Sequence, residues 1–357
     1  MNMKKLLYIT AFPPNKKSGG QNFSLNTLKD LSNSYSIDLI YFDFPNHETE
    51  IGKEINIIAT EKPSLFNCVF CPFIHPVFSR RFSWKLLKKI KKIAGNYDVI
   101  YFDYIQCAAY SLFLNHPKKV IRCHDILWQK YSREKGKLVL WIKRGEKNIL
   151  CSAAKVLVPS EKDAKCVESQ YHIKPEYTNE YLEYYDFDIQ YEVNNDLILF
   201  GLWSRYENME GLVWFMDSVY AKYVDLFNCR IKIMGGGLPK GFIDKYVDEK
   251  NVIYLGYVDD SYSEIVRCRA MIVPLFHGAG IKIKVLDSFN TGTPVVGTDL
   301  AFEGLSPIQN LTYIANTPEE FVEAINSIVV SDITQKIKNR DEFITSYGQK
   351  HISDCIL

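Results

Sequence analysis

Two lysines and an aspartate lie directly after a glycine-rich turn in the second half of the chain. The residues are Lys282, Lys284 and Asp287, and the turn is Gly278-Ala279-Gly280. The apolar run 270–274 before the turn predicts a buried strand, and the spacing after it predicts a helix. Backbone N–H groups at a helix start, the helix dipole and nearby lysines attract a diphosphate. A carboxylate one to two turns further on can accept hydrogen bonds from ribose hydroxyls, so the segment predicts a nucleotide site.

The same segment continues into a strand-like run and carries a specific pattern. From residue 278 to residue 298 it reads G-A-G-I-K-I-K-V-L-D-S-F-N-T-G-T-P-V-V-G-T. This resembles the donor-site motif of retaining GT-B glycosyltransferases of the family-4 type, which usually reads like G-x-G-I-K-x-K-V-L-E-A-x-A-x-G-x-P-V-V-x-T. The family commonly has a glutamate at the two positions that hold Ala279 and Asp287 here, and many members with the G-x-G-I-K form lack the first. A glycine turn followed by a helix and a strand also occurs in any doubly wound α/β fold.

Two further residues in the second half acquire a role through this resemblance. Arg205 follows the strand-like run 197–201, where the family often has a basic residue that faces the donor diphosphate. Arginine suits that task because its planar guanidinium stays charged and can contact two phosphate oxygens. Glu303 lies in A-F-E-G-L, which is similar to the family's E-G-L turn, and could help to order the donor site. A solvated loop arginine and a turn glutamate facing water are the alternatives.

The first half of the chain offers a glycine pair and one histidine. Gly19 and Gly20 stand between the predicted first strand and first helix, where glycines allow a sharp turn and expose N–H groups. The pair looks like the family's loop that approaches the donor phosphates and the acceptor; a plain tight connection is the alternative. His124 follows the strand-like run 120–123, at the carboxyl end of the sheet, where α/β proteins bind ligands. The family frequently has a histidine there that contacts the donor sugar, and Asp125 is placed to orient it; a structural or solvent-facing histidine is the alternative.

Short apolar runs alternate with helical patterns along the chain, as βαβ units require. Being apolar on both faces, these runs predict parallel sheets covered by helices on either side. The fold class is therefore α/β, and the resemblance implies the GT-B form, two Rossmann-like lobes whose parallel sheets face each other across a cleft that holds the active site. We expect an N-terminal acceptor-side domain over 1–185, a nucleotide-sugar-binding domain over 186–335 and a C-terminal helix over 336–357. The resemblance suggests that this helix crosses back to the first lobe; a simple terminal helix on the second lobe is the alternative.

Composition and charge exclude several classes of protein. The 357 residues are 47% apolar and 24% charged, which is typical of globular proteins and sufficient for two domains. The formal net charge of +1 gives no reason to expect a nucleic-acid partner. No run approaches the roughly 20 apolar residues that span a bilayer. The nine cysteines are scattered, which points to a reducing cytoplasm, and the lone C-x-x-C at residues 68–71 has no second pair at zinc spacing.

A basic run over residues 80–92 has seven basic residues and no acidic one. On a helix, Phe82, Leu86, Ile90 and Ile93 form one apolar stripe, and lysines cover the rest. A helix docked on the sheet with a solvated basic face explains this pattern. The alternative is attraction to anionic lipid head groups, which would bring the protein to a lipid-linked acceptor on the inner face of the membrane.

The resemblance implies an enzyme that moves a sugar from a nucleotide diphosphate donor to a hydroxyl of a saccharide or lipid-linked acceptor, with retention at the anomeric carbon. Cell-surface polysaccharide or glycolipid assembly is the expected setting. In this interpretation the catalytic residues are His124, Arg205 and Lys284, and the substrate-binding residues are Gly19, Gly20, Gly280, Lys282, Asp287 and Glu303. No cofactor and no metal are expected, because positive side chains and the helix dipole can take the place of a metal. A noncatalytic nucleotide-sugar-binding or partner-binding protein on the same fold, and a nucleotide-sugar epimerase, are the alternatives.

Overall fold

The computed structural model describes most of the chain, in ranges separated by short gaps: 3–16, 19–45, 47–133, 138–179, 185, 190–278, 280–348 and 351–356. Ala279 and residues 180–184 and 186–189, between the two predicted domains, lie outside these ranges. The backbone divides into two compact units. The first comprises Met1–Leu182 and Gln349–Leu357, and the second comprises Glu183–Gly348.

Seven parallel strands build the sheet of the first unit. They are β1 (Lys4–Thr10), β2 (Tyr35–Phe42), β3 (Asn56–Glu61), β4 (Val99–Asp103), β5 (Lys119–Arg122), β6 (Lys155–Val158) and β7 (Glu176–Tyr177). The strand order is β3-β2-β1-β4-β5-β6-β7. Every residue of β4 is buried, as expected for a central strand covered on both faces. The order changes direction between β1 and β4, which is where doubly wound sheets bind ligands.

Helices cover both faces of this sheet. They are α1 (Gly19–Ser32), α2 (Phe66–Phe70), α3 (Pro76–Ser79), α4 (Trp84–Ile93), α5 (Leu127–Arg133), α6 (Val139–Cys151) and α7 (Glu161–Tyr171). Side-chain caps define two of the starts: Ser83 accepts from the backbone N–H of Leu86, and Ser160 accepts from that of Asp163. The connection after β4 is a buried 3₁₀ helix, Ile105–Phe113, in place of an α-helix.

The second unit repeats the arrangement with six parallel strands. They are β8 (Leu197–Phe200), β9 (Ile231–Met234), β10 (Val252–Gly256), β11 (Ala270–Val273), β12 (Val295–Gly297) and β13 (Thr312–Ile314), in the order β10-β9-β8-β11-β12-β13. The helices are α8 (Tyr206–Trp214), α9 (Ala221–Tyr223), α10 (Lys240–Tyr246), α11 (Ser261–Val266), α12 (Ile283–Asn290), α13 (Pro318–Ser327) and α14 (Ile333–Tyr347), with a π-helical segment at Phe215–Tyr220. The predicted α/β class with two Rossmann-like lobes is confirmed.

The C-terminal segment is divided between the two units. The helix α14 stays in the second unit, where the buried ammonium of Lys336 donates to the carbonyl of Val266 over 2.6 Å. Gly348 ends this helix with φ 57°. The short helix α15 (Ile352–Ile356) belongs to the first unit, because the side chain of Asp30 accepts from the backbone N–H of Ile352 over 2.9 Å. The residues that reach the first unit therefore follow the long helix.

Candidate functional site

Lys284 lies at the carboxyl end of the second sheet, where the strand order changes direction between β8 and β11. It stands in the first turn of α12 and reaches the loop after β8. Its Nζ donates to Oδ1 of Asn208 over 2.8 Å. A Cβ atom on Gly201 would lie only 3.1 Å from that Nζ. The glycine therefore leaves the space that the ammonium occupies, at the edge of the sheet where α/β proteins bind ligands.

Arg205 places a second positive charge beside Lys284. It is the exposed residue directly before the first turn of α8. Burial lowers the pKa of Lys284 to about 7, and repulsion from Arg205 and, more weakly, Lys282 adds to the effect, whereas Glu207 opposes it. The charged form of a buried lysine beside another cation is stabilised when an anion binds between the two. Lys284 and Arg205 therefore lie close to each other at the start of α8, an arrangement that suits an anion.

Lys282 is engaged with a carboxylate. Its Nζ lies 3.7 Å from Oε2 of Glu303, and the two side chains are 11% and 9% exposed. The same ammonium donates to the carbonyl of Gly280, whose φ of 72° lies in the left-handed region that favours glycine. Glu303 follows the 3₁₀ turn Asp299–Phe302 after β12. The ion pair therefore links the turn before α12 to the next loop along the sheet edge and neutralises much of the charge of Lys282.

Asp287 lies one turn beyond Lys284 on α12. Its Oδ1 accepts a hydrogen bond of 2.9 Å from the hydroxyl of Tyr262, which is on α11. Burial raises the pKa of Asp287 to about 7, although the bond from Tyr262 lowers it. A ligand hydroxyl that donates to this carboxylate would favour its charged form. This geometry suits the recognition of ribose.

Two glycines allow close backbone packing of α8 and of the loop before it. A Cβ atom on Gly211 would lie 1.8 Å from the carbonyl oxygen of Pro274, directly after β11. A Cβ atom on Gly235, where φ is 111°, would lie 2.0 Å from the carbonyl oxygen of Gly201. Gly235, directly after β9, therefore packs against the loop that leads to Arg205, and Gly211 allows α8 to pack against the residue after β11.

His124 lies at the carboxyl end of the first sheet, directly after Cys123 and β5. Its Nε2 is 2.8 Å from Oδ1 of Asp103, the last residue of β4. The ring of Tyr104 stacks on the imidazole at 4.0 Å between centroids. The sequence placed Asp125 as the residue that orients this histidine, and the carboxylate that the structure brings to Nε2 is Asp103.

Asp103 is fully buried within a polar network. Its Oδ2 accepts from the hydroxyl of Ser24, and the hydroxyl of Thr10 lies 3.5 Å away. Burial raises the pKa of Asp103, but His124, Arg122 and the bond from Ser24 outweigh it and hold the pKa below its usual range. Asp103 is therefore an anion at neutral pH. This charge favours a proton on Nε2 of His124 and fixes the direction of the ring.

Gly20, in the first turn of α1, belongs to the same cluster. A Cβ atom on Gly20 would lie 2.7 Å from the hydroxyl oxygen of Tyr104. Tyr104 has φ 75°, an uncommon conformation for a bulky residue and one that is concentrated at functional sites. Gly19 is the first residue of α1, and no acidic residue lies in its first turn. The structure therefore brings Gly20 and His124 together through Tyr104.

Asn208, Tyr262, Tyr104 and Asp103 complete these clusters and were not predicted from the sequence. Asp103 had a usable signal, since an acid ends a run of otherwise apolar residues. The others are ordinary residues whose role depends on contacts with distant segments. Within the described ranges no group of three or more histidine, cysteine or acidic side chains is arranged to hold a metal ion.

Family models match both halves of the chain. The model described as "Glycosyltransferase Family 4" matches residues 18–178, and the one described as "Glycosyl transferases group 1" matches residues 195–331. Together they cover well over half of the chain. Both descriptions agree with the resemblance seen in the donor-site motif.

Similar proteins include one from a cps region and several proteins of solved structure. An uncharacterized 44.6 kDa protein in the cps region of Klebsiella pneumoniae is 23% identical over 235 residues, which are 57% of this chain and 59% of that protein. Anabaena Alr3699/HepE, solved in complex with UDP, is 15% identical over 99% of this chain and 97% of its own, with a TM-score of 0.65. A point mutant of S. aureus TarM, solved with fondaparinux, α-GlcNAc-glycerol and UDP, is 13% identical over 99% and 98%, with a TM-score of 0.63. The solved structures confirm the GT-B fold.

Proposed function

The chain belongs to the GT-B glycosyltransferases of the family-4 type, and from that premise we propose that it transfers a sugar from a nucleoside diphosphate sugar to an acceptor hydroxyl with retention at the anomeric carbon. The observation that carries the proposal is the pair of cations, Lys284 and Arg205, at the switch point of the second sheet. The solved relatives hold UDP, so UDP-sugars are the first donors to test. The cps region of the Klebsiella relative supports polysaccharide assembly as the setting.

The donor diphosphate would bind between Lys284, Arg205 and the start of α8. As the bond from the anomeric carbon to the diphosphate oxygen breaks, negative charge accumulates on the leaving group, and the two cations stabilise it. The ribose hydroxyls would donate to Asp287, whose position is set by Tyr262. The acceptor oxygen forms the new bond to the anomeric carbon on the face that the diphosphate leaves. Its proton passes to a diphosphate oxygen, so no protein base is required.

His124 would contact the donor sugar through a hydrogen bond to one of its hydroxyls. Asp103 keeps the imidazole in a fixed direction, and Tyr104 covers one face of the ring. A ring held in this way makes the contact without first losing side-chain freedom. Gly20 and the start of α1 would contribute on the acceptor side, as the resemblance implies.

The proposed reaction is tested with the purified full-length chain. UDP-, GDP- and ADP-sugars are first screened for thermal stabilisation, which amounts to about 2.7 kcal/mol at a ligand concentration 100 times Kd. The stabilising donor is then incubated with saccharide and lipid-linked acceptors, and the anomeric configuration of the product is read by proton NMR. Absence of stabilisation by every donor would contradict the proposal. Stabilisation without transfer or donor hydrolysis would favour a noncatalytic binding protein, for which Asp287 in place of the family's glutamate is the motivating feature.

Affinity for the donor should be highest near pH 7. The charged form of Lys284 binds the diphosphate, and its pKa in the empty site is about 7, so affinity should fall by up to about tenfold per unit above that pH. The charged form of Asp287 accepts from the ribose, and its pKa is also about 7, so affinity should fall on the acidic side as well. Calorimetry with UDP-glucose between pH 5.5 and 8.5, values chosen to lie about 1.5 units either side of that pKa, measures both limbs.

Two variants identify which residue causes the fall in affinity on each side of pH 7, the pKa about which both groups titrate. Lys284→Met should remove the alkaline fall, and Asp287→Asn should remove the acidic fall. Lys222→Met changes an exposed lysine on α9 and should leave the profile as it is. A profile that is flat for the native protein would show that neither group titrates in response to the donor.

A further inference from the structure

An exposed apolar surface on the first unit has no role in the proposed chemistry. It is formed by α2 and the residues on either side of it, which we call the α2 patch. None of the residues of α2 is buried. The large side chains of the patch are each more than 60% exposed: Leu65, Phe66, Val69, Phe70 and Phe73. A contiguous apolar surface of this kind marks a site of interaction with a protein or a membrane.

Two tryptophans hold the patch against neighbouring helices. The indole Nε1 of Trp84, at the start of α4, donates to the carbonyl of Phe70 over 3.4 Å. The indole Nε1 of Trp141, on α6, donates to the carbonyl of Phe73 over the same distance. Leu140, beside Trp141, is itself 73% exposed. The patch is therefore fixed to α4 and α6 with its aromatic side chains directed outward.

The basic run of residues 80–92 begins directly beside this patch. The carbonyl of Arg80 accepts from the backbone N–H of Ser64 over 2.9 Å and from the side chain of Asn67, within α2, over 3.0 Å. Arg81 is turned inward, where its Nε donates to the carbonyl of Ala11. The remaining basic residues of the run are exposed: Arg80, Lys85, Lys88, Lys89, Lys91 and Lys92. No acidic residue interrupts them.

The packing of α4 decides which part of this surface could enter a lipid layer. Leu86, Leu87 and Ile90 are buried in the core of the first unit, so α4 cannot also present them to lipid. Beyond Trp84 at its start, the exposed side chains of α4 are all lysines, which attract an anionic surface without penetrating it. The side chains that could enter a lipid layer are therefore those of the α2 patch.

We propose that the α2 patch and the exposed part of the basic run together bind an anionic phospholipid bilayer. Phe66, Phe70 and Phe73 would enter the boundary between head groups and acyl chains, and Trp84 would lie at the level of the head groups. The lysines of α4 would pair with lipid phosphates. The positive side chains match the anionic head groups of such a bilayer, and the exposed aromatic side chains match its apolar interior. This inference deepens the proposed function, because it names the surface on which a lipid-linked acceptor would lie.

The test is co-sedimentation of the full-length protein with vesicles of phosphatidylcholine alone or mixed with phosphatidylglycerol. Binding should require the anionic lipid and should weaken about tenfold or more in Phe66→Ser/Phe70→Ser and in Lys85→Gln/Lys88→Gln/Lys92→Gln. Matched controls are Val329→Ser, an 81% exposed apolar residue in the second unit, and Lys222→Gln/Lys240→Gln/Lys250→Gln. These controls should bind as the native protein does. Quenching of tryptophan fluorescence by brominated lipid should decrease in Trp84→Phe.

Three results would overturn the proposal. They are binding indifferent to phosphatidylglycerol, binding unchanged in both sets of variants, and a dimer in sedimentation velocity that Phe66→Ser dissociates, which would assign the patch to a second copy of the chain. Thermal stabilisation by the donor sugar, measured on the same variants, separates this inference from the proposed function. Loss of vesicle binding together with unchanged donor stabilisation supports the bilayer site. Absence of donor stabilisation in the native protein would contradict the proposed function alone.

Discussion

Replacing Lys284 with alanine should lower kcat/KM for glycosyl transfer by about 100-fold to 1,000-fold, the range for removing one preorganised group that stabilises developing charge. The binding of the intact UDP-sugar should weaken less, by about 1–3 kcal/mol, the range for losing one charge-assisted contact. The difference arises because the diphosphate gains negative charge as the sugar leaves. Initial rates measure the first effect, and calorimetry with the UDP-sugar in the absence of acceptor measures the second.

Lys282→Ala is the matched control for this substitution. Both lysines flank the start of α12, but Lys282 is paired with Glu303, whereas the hydrogen bond of Lys284 goes to the neutral amide of Asn208. We therefore expect a clearly smaller loss of kcat/KM for Lys282→Ala. Equal losses in the two variants, or unchanged affinity of Lys284→Ala for the UDP-sugar, would contradict the proposed role of Lys284.

The strands and their sequential alternation with helices could be predicted because buried parallel strands are apolar on both faces. The apolar composition of a run such as Val99–Asp103 predicts that the strand is buried. The strand β7 was missed because two residues give no periodicity. The segment Ile105–Phe113 has the apolar composition of a helix, and its 3₁₀ form depends on packing that the sequence does not display.

The predicted site differs from the observed one mainly in contacts between residues that are distant in sequence. Lys284 could be predicted from its motif, but its partner Asn208 is 76 positions away, in the first turn of α8. The pKa values of Lys284 and Asp287 follow chiefly from burial, which depends on the folded chain rather than on neighbours in sequence. His124 was placed correctly at a strand end, whereas the aspartate at its Nε2 comes from the adjacent strand. The carboxylate that contacts His124 therefore depends on which strands are neighbours in the sheet. Sequence order does not give this directly.

Asp103→Asn should lower kcat/KM by about as much as His124→Ala does, roughly 10-fold to 100-fold, the range for a lost hydrogen bond to a sugar hydroxyl. The asparagine keeps the shape of the side chain but removes the charge that fixes the imidazole. If Asp103 acts through His124, the double variant should be no worse than either single variant. Initial rates for the three variants and the native protein complete this cycle. Additive losses would contradict the coupling.

The free energy of unfolding should differ between Asp103→Asn and His124→Ala. Asp103→Asn removes the negative charge that His124, Ser24 and the buried Arg122 stabilise, so we expect a loss of about 1.5–3 kcal/mol in the free energy of unfolding, the range for hydrogen bonds to a charged group. His124→Ala should lose less, because Ser24 and Arg122 still stabilise the carboxylate. The pKa of Asp103 is depressed in the folded state, so its contribution is present at neutral pH and is lost as the pH falls through that depressed value. Denaturant titrations should therefore show native protein and Asp103→Asn converging in acid; a difference that stays constant with pH would mean that the charge of Asp103 is not what stabilises the first sheet.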